Sequence, residues 1–213
     1  MPLVPNGPTG AYSLLWNDEF SGEAVDMTKW EIANWKVNNV TPTPSNMWLY
    51  LGRLTLNLAS ASVGAAVIAS HKFLVGQCVE ARVRFPGSDT GDHIYNFPAF
   101  WTAGVSYPDS GEHDIAEGLG NLKISYWDKT KTLKFSKVPP GDWNNAYHNY
   151  TLLRHATHAH VYWDGVQVAR YDTNDDGGPQ HIILNVGSSP KRDLVVGPPS
   201  RVRAEYVRVW GPA

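Results

Sequence analysis

Residues 160 to 172 read HVYWDGVQVARYD, and the Asp164-Gly165 dipeptide at their centre decides how the flanks are read. Apolar and polar residues alternate on both sides, VYW before the dipeptide and VQV after it. An Asp-Gly pair between two alternating runs is a strong hairpin signal, because both central residues of the favoured turn take positive φ. Working outward, the two-residue period recurs. LTLNLA (54–59) alternates, VIASHKF (67–73) follows, and CVEARVRF (78–85) places Val79, Ala81, Val83 and Phe85 on one face. ISYW (124–127), KTLKFSKV (131–138), YTLLRH (150–155), HIILNVGSS (181–189) and RAEYVRVW (203–210) complete the set. HIILNVG is apolar without alternation and reads as a central strand covered on both faces. No stretch holds a 3.6-residue period over a helix's length. Many short strands at close spacing predict an all-β fold, a sandwich or jelly roll of two antiparallel sheets.

The chain has 213 residues and a formal net charge of −2, so no global basic field attracts nucleic acid or anionic lipid. Cys78 is the only cysteine, which excludes an intrachain disulfide. No apolar run is long enough to span a membrane. Pro2, Pro5, Gly7, Pro8 and Gly10 mark residues 1–10 as an extended arm, and residues 11–213 read as one domain. MPLVPNGPTG lacks a basic n-region and an apolar h-region, so it does not read as a signal peptide. Nine tryptophans and ten tyrosines exceed what a core of this size needs. Large aromatics with a polar handle suit wet recognition surfaces such as those that meet sugar rings.

GEHDIAEGLG (111–120) crowds Glu112, Asp114 and Glu117 into six positions. On a strand, Glu112 and Asp114 share a face, and strict alternation would put Ala116 beside them. A β-bulge at Ile115-Ala116 resets the phase and returns Glu117 to that face. A row of three acids meets the needs of glycosidic cleavage, where one carboxylate is ionised and another stays protonated to donate to the leaving oxygen. A solvated strand face and a calcium loop are the ordinary alternatives, although calcium loops favour Asp, Asn and Gly over an Ile-Ala pair.

Beyond the acids, LLWNDEF (14–20), the D-x-x-K-W pattern from Asp26 to Trp30, GRLTLNLA (52–59), GQCVEARVRFPG (76–87) and PAFWTAG (98–104) occur in order. YHNYTL (147–152), WDG (163–165), IILNVG (182–187) and EYVRVW (205–210) follow. With E-x-D-x-x-E at 112–117, this series resembles glycoside hydrolase family 16, whose members are concanavalin A-like β-jelly rolls with a cleft on the concave face. The resemblance implies a retaining endo-glycosidase with Glu112 as nucleophile, Asp114 as assisting acid and Glu117 as general acid/base. It implies that Trp101 stacks on the sugar, that Tyr126 or Trp127 lines the cleft, and that Trp35, Asn46 and Trp48 build its outer part. The bulged signature points to a laminarinase-like endo-β-1,3-glucanase, with an agar-, carrageenan- or porphyran-type galactan hydrolase second and a non-catalytic carbohydrate-binding jelly roll third. The partner is then a polysaccharide, with no nucleic acid and no membrane; the chain is expected to be a monomer, extracellular, and to need no cofactor for catalysis. The resemblance also places a structural calcium at Glu19, the Gly52 carbonyl and Glu205. Ala116 stands where laminarinase-like members usually carry Met, and His113 where they carry an apolar residue.

Two further clusters stand out. RHATHAH (154–160) holds three histidines at mixed spacing without an adjacent acid, and reads as an exposed loop that binds no metal. Lys129, Lys131, Lys134 and Lys137 read as a solvated face, or as contacts to an anionic polysaccharide if their strand borders the cleft.

Overall fold

Asp164 and Gly165 take φ angles of 45° and 80°, the doubly positive geometry that a tight hairpin demands. The computed structural model describes residues 4–88 and 93–213. In chain order its strands are β1 (Tyr12–Asp18), β2 (Trp30–Ile32), β3 (Thr41–Pro42), β4 (Met47–Leu49), β5 (Leu54–Leu56), β6 (Val63–Ala69), β7 (Cys78–Arg84) and β8 (Phe97–Gly104). There follow β9 (Glu112–Leu119), β10 (Asn121–Trp127), β11 (Leu133–Lys137), β12 (His148–Arg154), β13 (His158–Trp163), β14 (Val166–Asp172), β15 (Gln180–Gly187) and β16 (Val202–Pro212). Helical geometry is limited, among the described residues, to 3-10 turns at Pro44–Asn46 and Pro198–Ser200.

The strands form two sheets. The back sheet runs β14-β13-β12-β7-β16-β5-β4, with β1 also paired to β16. The cleft sheet runs β11-β10-β9-β8-β15-β6-β2, with β3 beside β6. Neighbours are antiparallel, as β7 is to β12 and β16, while β3 is parallel to β6. This is the all-β jelly-roll sandwich that the alternating segments predict.

Alternation builds the core between the sheets. Val79, Ala81, Val83 and Phe85 meet there as expected, joined by Leu152, Val161 and Trp163 from the back sheet. Ile115, Ala116, Leu122, Ile124, Ile182 and Leu184 face them from the cleft sheet. Each of the larger aliphatic and aromatic side chains among them contributes about 1.5–3 kcal/mol through burial. β15 is central, between β8 and β6; its second face is covered because Ile183 packs under Trp101.

Of the N-terminal arm, residues 1–3 lie outside the described residues. Pro5 and Pro8 are buried, and the Asn6 amide donates to the Glu80 carboxylate at 2.6 Å. Gly7 has a φ of 114° and leaves no room for a Cβ beside the Tyr162 ring. Residues 5–8 therefore lie against the back sheet.

Candidate active site

The bulge on β9 is present where the acids require it. Against β10, Glu117 pairs with Lys123 and Asp114 with Ser125, so Ile124 alone spans Ile115 and Ala116. Against β8, Ala116 pairs with Phe100 and Asp114 with Trp101. Ile115 and Ala116 both point into the core and are fully buried. A bulge frees backbone groups from the ladder, and a buried carbonyl needs a donor. Here the Trp163 indole Nε1 crosses from the back sheet and donates to the Ile115 carbonyl at 3.0 Å. Trp163 thus holds the kink that sets the direction of Glu117.

Two cavities share Glu112 and Tyr107 and together form one cleft. One arm, of about 510 Å³, is lined by Trp35, Trp101, Ala103, His181 and Ile183. The other, of about 330 Å³, is lined by Asn38, Phe97, Glu117, Lys123, Trp127 and Lys131. Glu112 therefore sits where the arms meet, with Glu117 in the second. The Trp101 indole donates to the Asn185 side-chain carbonyl at 2.8 Å, which fixes its ring over Ile183. Asp114 lies enclosed between the two glutamates in sequence, hydrogen-bonded by the Trp127 side chain.

The three acids hold their protons more tightly than free carboxyls because they are crowded and poorly solvated. Glu112 is pushed up to about 7, first by burial and then by the charge of Glu117. Asp114 rises well above the carboxylate range, through burial and then repulsion from Glu117 and Glu112. Its Oδ2 has no hydrogen-bond partner among the described residues, so Asp114 is the acid best suited to keep a proton. Burial also raises Glu117, but Lys123, 3.3 Å from its carboxylate, opposes the rise.

The opposite face of β9 is tied down by buried charge. His113 stacks on Tyr126 and Tyr171, with ring centroids 4.9 and 5.8 Å away. Its Nε2 lies 3.5 Å from Asp175, and Arg154 lies 3.0 Å from the other oxygen of the same carboxylate. All three side chains are inaccessible to solvent. Burial pushes His113 down, so the ring is neutral. An ionised Asp175 only accepts, hence the proton sits on Nε2, and Nδ1 accepts from the Tyr171 hydroxyl at 2.9 Å.

Of the residues read from the sequence, Glu112, Glu117, Trp101, Trp127 and Trp35 line the cleft. Tyr126 does not. It pairs with His113, faces the core, and its hydroxyl accepts from the Asn174 amide at 2.7 Å. Trp127, one residue on, pairs with Glu112 and faces the cleft. Asn46 and Trp48 also fall outside it. Asn46 is spent on the turn before β4, donating to Thr43 Oγ1 at 2.7 Å and accepting from Asn57 at 3.2 Å. Trp48 belongs to the back sheet, with the Arg201 guanidinium 5.1 Å from its ring centroid.

Glu19, Gly52 and Glu205 do not fit a calcium. Glu19 receives two hydrogen bonds from Arg208, at 2.8 and 2.7 Å. Glu205 is shared by Arg53 at 3.0 Å and Arg82 at 2.8 Å. Guanidinium groups thus take the positions in which a cation would neutralise these acids. Among the basic residues read as one cluster, Lys131 lines the cleft and lies 5.2 Å from the Tyr107 ring centroid. Lys129 pairs with Asp176 at 2.6 Å, Lys134 with Asp128 at 3.4 Å, and Lys137 donates to the Val168 carbonyl at 2.7 Å.

Sequence reasoning missed Tyr107, Lys123 and His181. Tyr107 carried a usable signal, an aromatic in a turn-rich loop directly before the acids. Lys123 and His181 reach the cleft through strand pairing, which no local pattern announces.

The sequence model described as "Glycosyl hydrolases family 16" matches residues 27–190. No curated protein matches the chain. Among solved structures, an endo-β-1,3-glucanase from Pyrococcus furiosus superposes with a TM-score of 0.77 at 21% identity, over 98% of each chain. The catalytic domain of an endo-1,3-β-glucanase (laminarinase) from Thermotoga petrophila gives 0.75 at 19% identity, covering 96% of this chain and 99% of that one. SCLam, a non-specific endo-β-1,3(4)-glucanase, gives 0.78 at 21% identity, covering 99% and 95%.

Proposed function

This chain belongs to glycosyl hydrolase family 16, and from that premise we propose that it is a retaining endo-glycosidase cutting internal linkages of a β-1,3-glucan. The observation that carries the reading is the bulge-aligned row Glu112, Asp114 and Glu117 on the cleft sheet, with Glu112 where two arms of the cleft meet. A cleft with lining on both sides of the reacting groups suits a chain bound through its middle. The glucan assignment follows the likeness to the Pyrococcus furiosus and Thermotoga petrophila glucanases.

In this mechanism Glu112, ionised, attacks the anomeric carbon while Glu117 protonates the departing glycosidic oxygen. Water, activated by the same Glu117 once it has lost its proton, then releases the sugar from Glu112 with net retention. Asp114, protonated and enclosed, stabilises the charge on its neighbours by sharing its hydrogen. Trp101 and Trp35 offer apolar faces to sugar rings in one arm, and Trp127 in the other.

One observation favours a second reading. Lys131 lines the arm that holds Glu117, and an ammonium group there suits a sulfate or carboxylate substituent of a galactan, while Lys123 is engaged by Glu117. Reducing-end release from laminarin, agarose and carrageenan separates the two, with products sized to detect transfer to a second sugar. Cleavage of laminarin with early release of the β-anomer is the expected result. Cleavage of carrageenan alone would replace the glucan assignment, and binding to all three without cleavage would end the hydrolase mechanism. Glu117→Ala is expected to lose about 10²- to 10⁴-fold on polysaccharide, with azide restoring turnover on aryl glycosides that need no leaving-group proton. Equal loss on both substrates, unrelieved by azide, would remove Glu117 from the role of acid.

Lys123 supplies a pH test. A general acid must be protonated, and the ion pair with Lys123 favours its ionised form. Lys123→Met is therefore expected to move the alkaline limb of kcat/KM to higher pH. A limb that stays in place or moves lower would mean that Lys123 does not govern Glu117 in the working enzyme.

A further inference from the structure

We propose that His155, His158 and His160, on the outer face of the back sheet, form a binding site for a divalent first-row transition metal of the zinc, nickel or copper class. The sequence pattern read as a loop is in fact the hairpin between β12 and β13. The His155 amide donates to the His158 carbonyl at 2.9 Å, closing a turn of which Ala156 and Thr157 are the tip. Across that turn His155 and His158 become neighbours, and His160 lies two residues further along β13, on the same face as His158. Ala159, Val161 and Trp163 point the other way, into the core.

Ring centroids lie 4.3 Å apart for His155 and His158, 5.3 Å for His155 and His160, and 5.1 Å for His158 and His160. One nitrogen from each ring lies within 4.8 Å of the others. Nitrogens bound to zinc at about 2.0–2.1 Å in a tetrahedron stand roughly 3.4 Å apart, so side-chain rotation closes the remaining gap. All three rings are partly exposed, which leaves an approach from solvent. Among the described residues, none of the three is held in an ion pair.

The polar environment favours a metal over any other use of these rings. His160 Nδ1 lies 3.3 Å from the Tyr162 hydroxyl, while its Nε2 is shielded from solvent and has no partner among the described residues. A ring hydrogen-bonded through Nδ1 with Nε2 otherwise unused has the arrangement of a metal-bound histidine and its outer partner. Thr157 Oγ1 lies 3.3 Å from His158 Nδ1 in the same manner. The other charges here are Arg170, opposite His160, and Asp172, opposite His158, paired with each other at 3.3 Å. Asp172 offsets Arg170. Three imidazoles select zinc, copper or nickel over calcium or magnesium, which prefer all-oxygen sites.

Equilibrium dialysis of the full chain, free of any histidine tag, against Zn²⁺, Cu²⁺ and Ca²⁺ tests the site. One equivalent of Zn²⁺ or Cu²⁺ is expected, with no Ca²⁺, and with nitrogen hyperfine structure in the Cu²⁺ spin-resonance spectrum. His158→Gln and His160→Gln are each expected to weaken binding by at least about tenfold, with the circular dichroism and the polysaccharide hydrolysis of the wild type unchanged. His71→Gln, elsewhere on the chain, is expected to bind as the wild type does. Binding no tighter in the wild type than in His158→Gln, or lost equally in His71→Gln, would overturn the proposal.

Discussion

Glu112→Gln is expected to lower kcat on the polysaccharide by about 10⁴-fold or more, the scale on which removing a covalent nucleophile acts, and to raise the thermal midpoint above neutral pH. The two effects share one cause. Glu112 is raised to about 7 because its charged form is poorly solvated and faces Glu117. A carboxyl whose folded pKa exceeds its unfolded value binds its proton more tightly in the folded chain. Stability therefore falls as pH rises from about 4.5 through 7, and the whole penalty is present above that window. Gln carries no charge, so the substitution removes a penalty on the order of 1–3 kcal/mol. Melting curves at pH 5 and pH 8 should nearly coincide with the wild type at the lower value and separate at the higher, with the variant more stable. A variant that keeps its rate, or one less stable at pH 8, would show that Glu112 is neither nucleophile nor strained acid.

That strain was legible in the sequence because three acids within six residues cannot all be well solvated on one strand face, and a bulge was the one way to align them. The strands were legible for a similar reason, since a two-residue period is local information. What failed was phase and pairing. Tyr126 and Trp127 are adjacent on a strand and must face opposite ways, yet only the register with Glu112 reveals which one meets the cleft. Trp48 reads as a sugar platform until β4 is seen paired to β5, in the other sheet. The three histidines look scattered in sequence, but a two-residue turn folds His155 back beside His158. Glu19 and Glu205 are spoken for by arginines up to 189 positions away, a distance over which spacing carries no information.

Arg154→Met is expected to cost about 3–5 kcal/mol of stability, because it leaves the Asp175 carboxylate buried beside a neutral imidazole with no cation. For a domain of this size that corresponds to a fall in midpoint of roughly 10 °C. Asp175→Asn should cost a similar amount, and the double variant less than the sum, since it removes both charges rather than stranding one. The pH dependence identifies the group. Burial alone would raise Asp175, but the close approach of the His113 ring and the Arg154 charge outweigh it and hold the acid below its ordinary value. Its contribution is then fully present above about pH 3.9 and lost as pH falls through the depressed folded value. The stability gap between wild type and Asp175→Asn should accordingly stay level from pH 8 to pH 5 and narrow only in stronger acid. A gap that closes near neutrality would assign the effect to a different titrating group. The same variants bear on catalysis, because His113 lies on β9 between Glu112 and Asp114 and the network fixes the inward face of that strand. If the network positions the acids, Asp175→Asn lowers kcat while the chain remains folded and KM is little changed. If it only contributes to folding energy, the rate per folded molecule is that of the wild type.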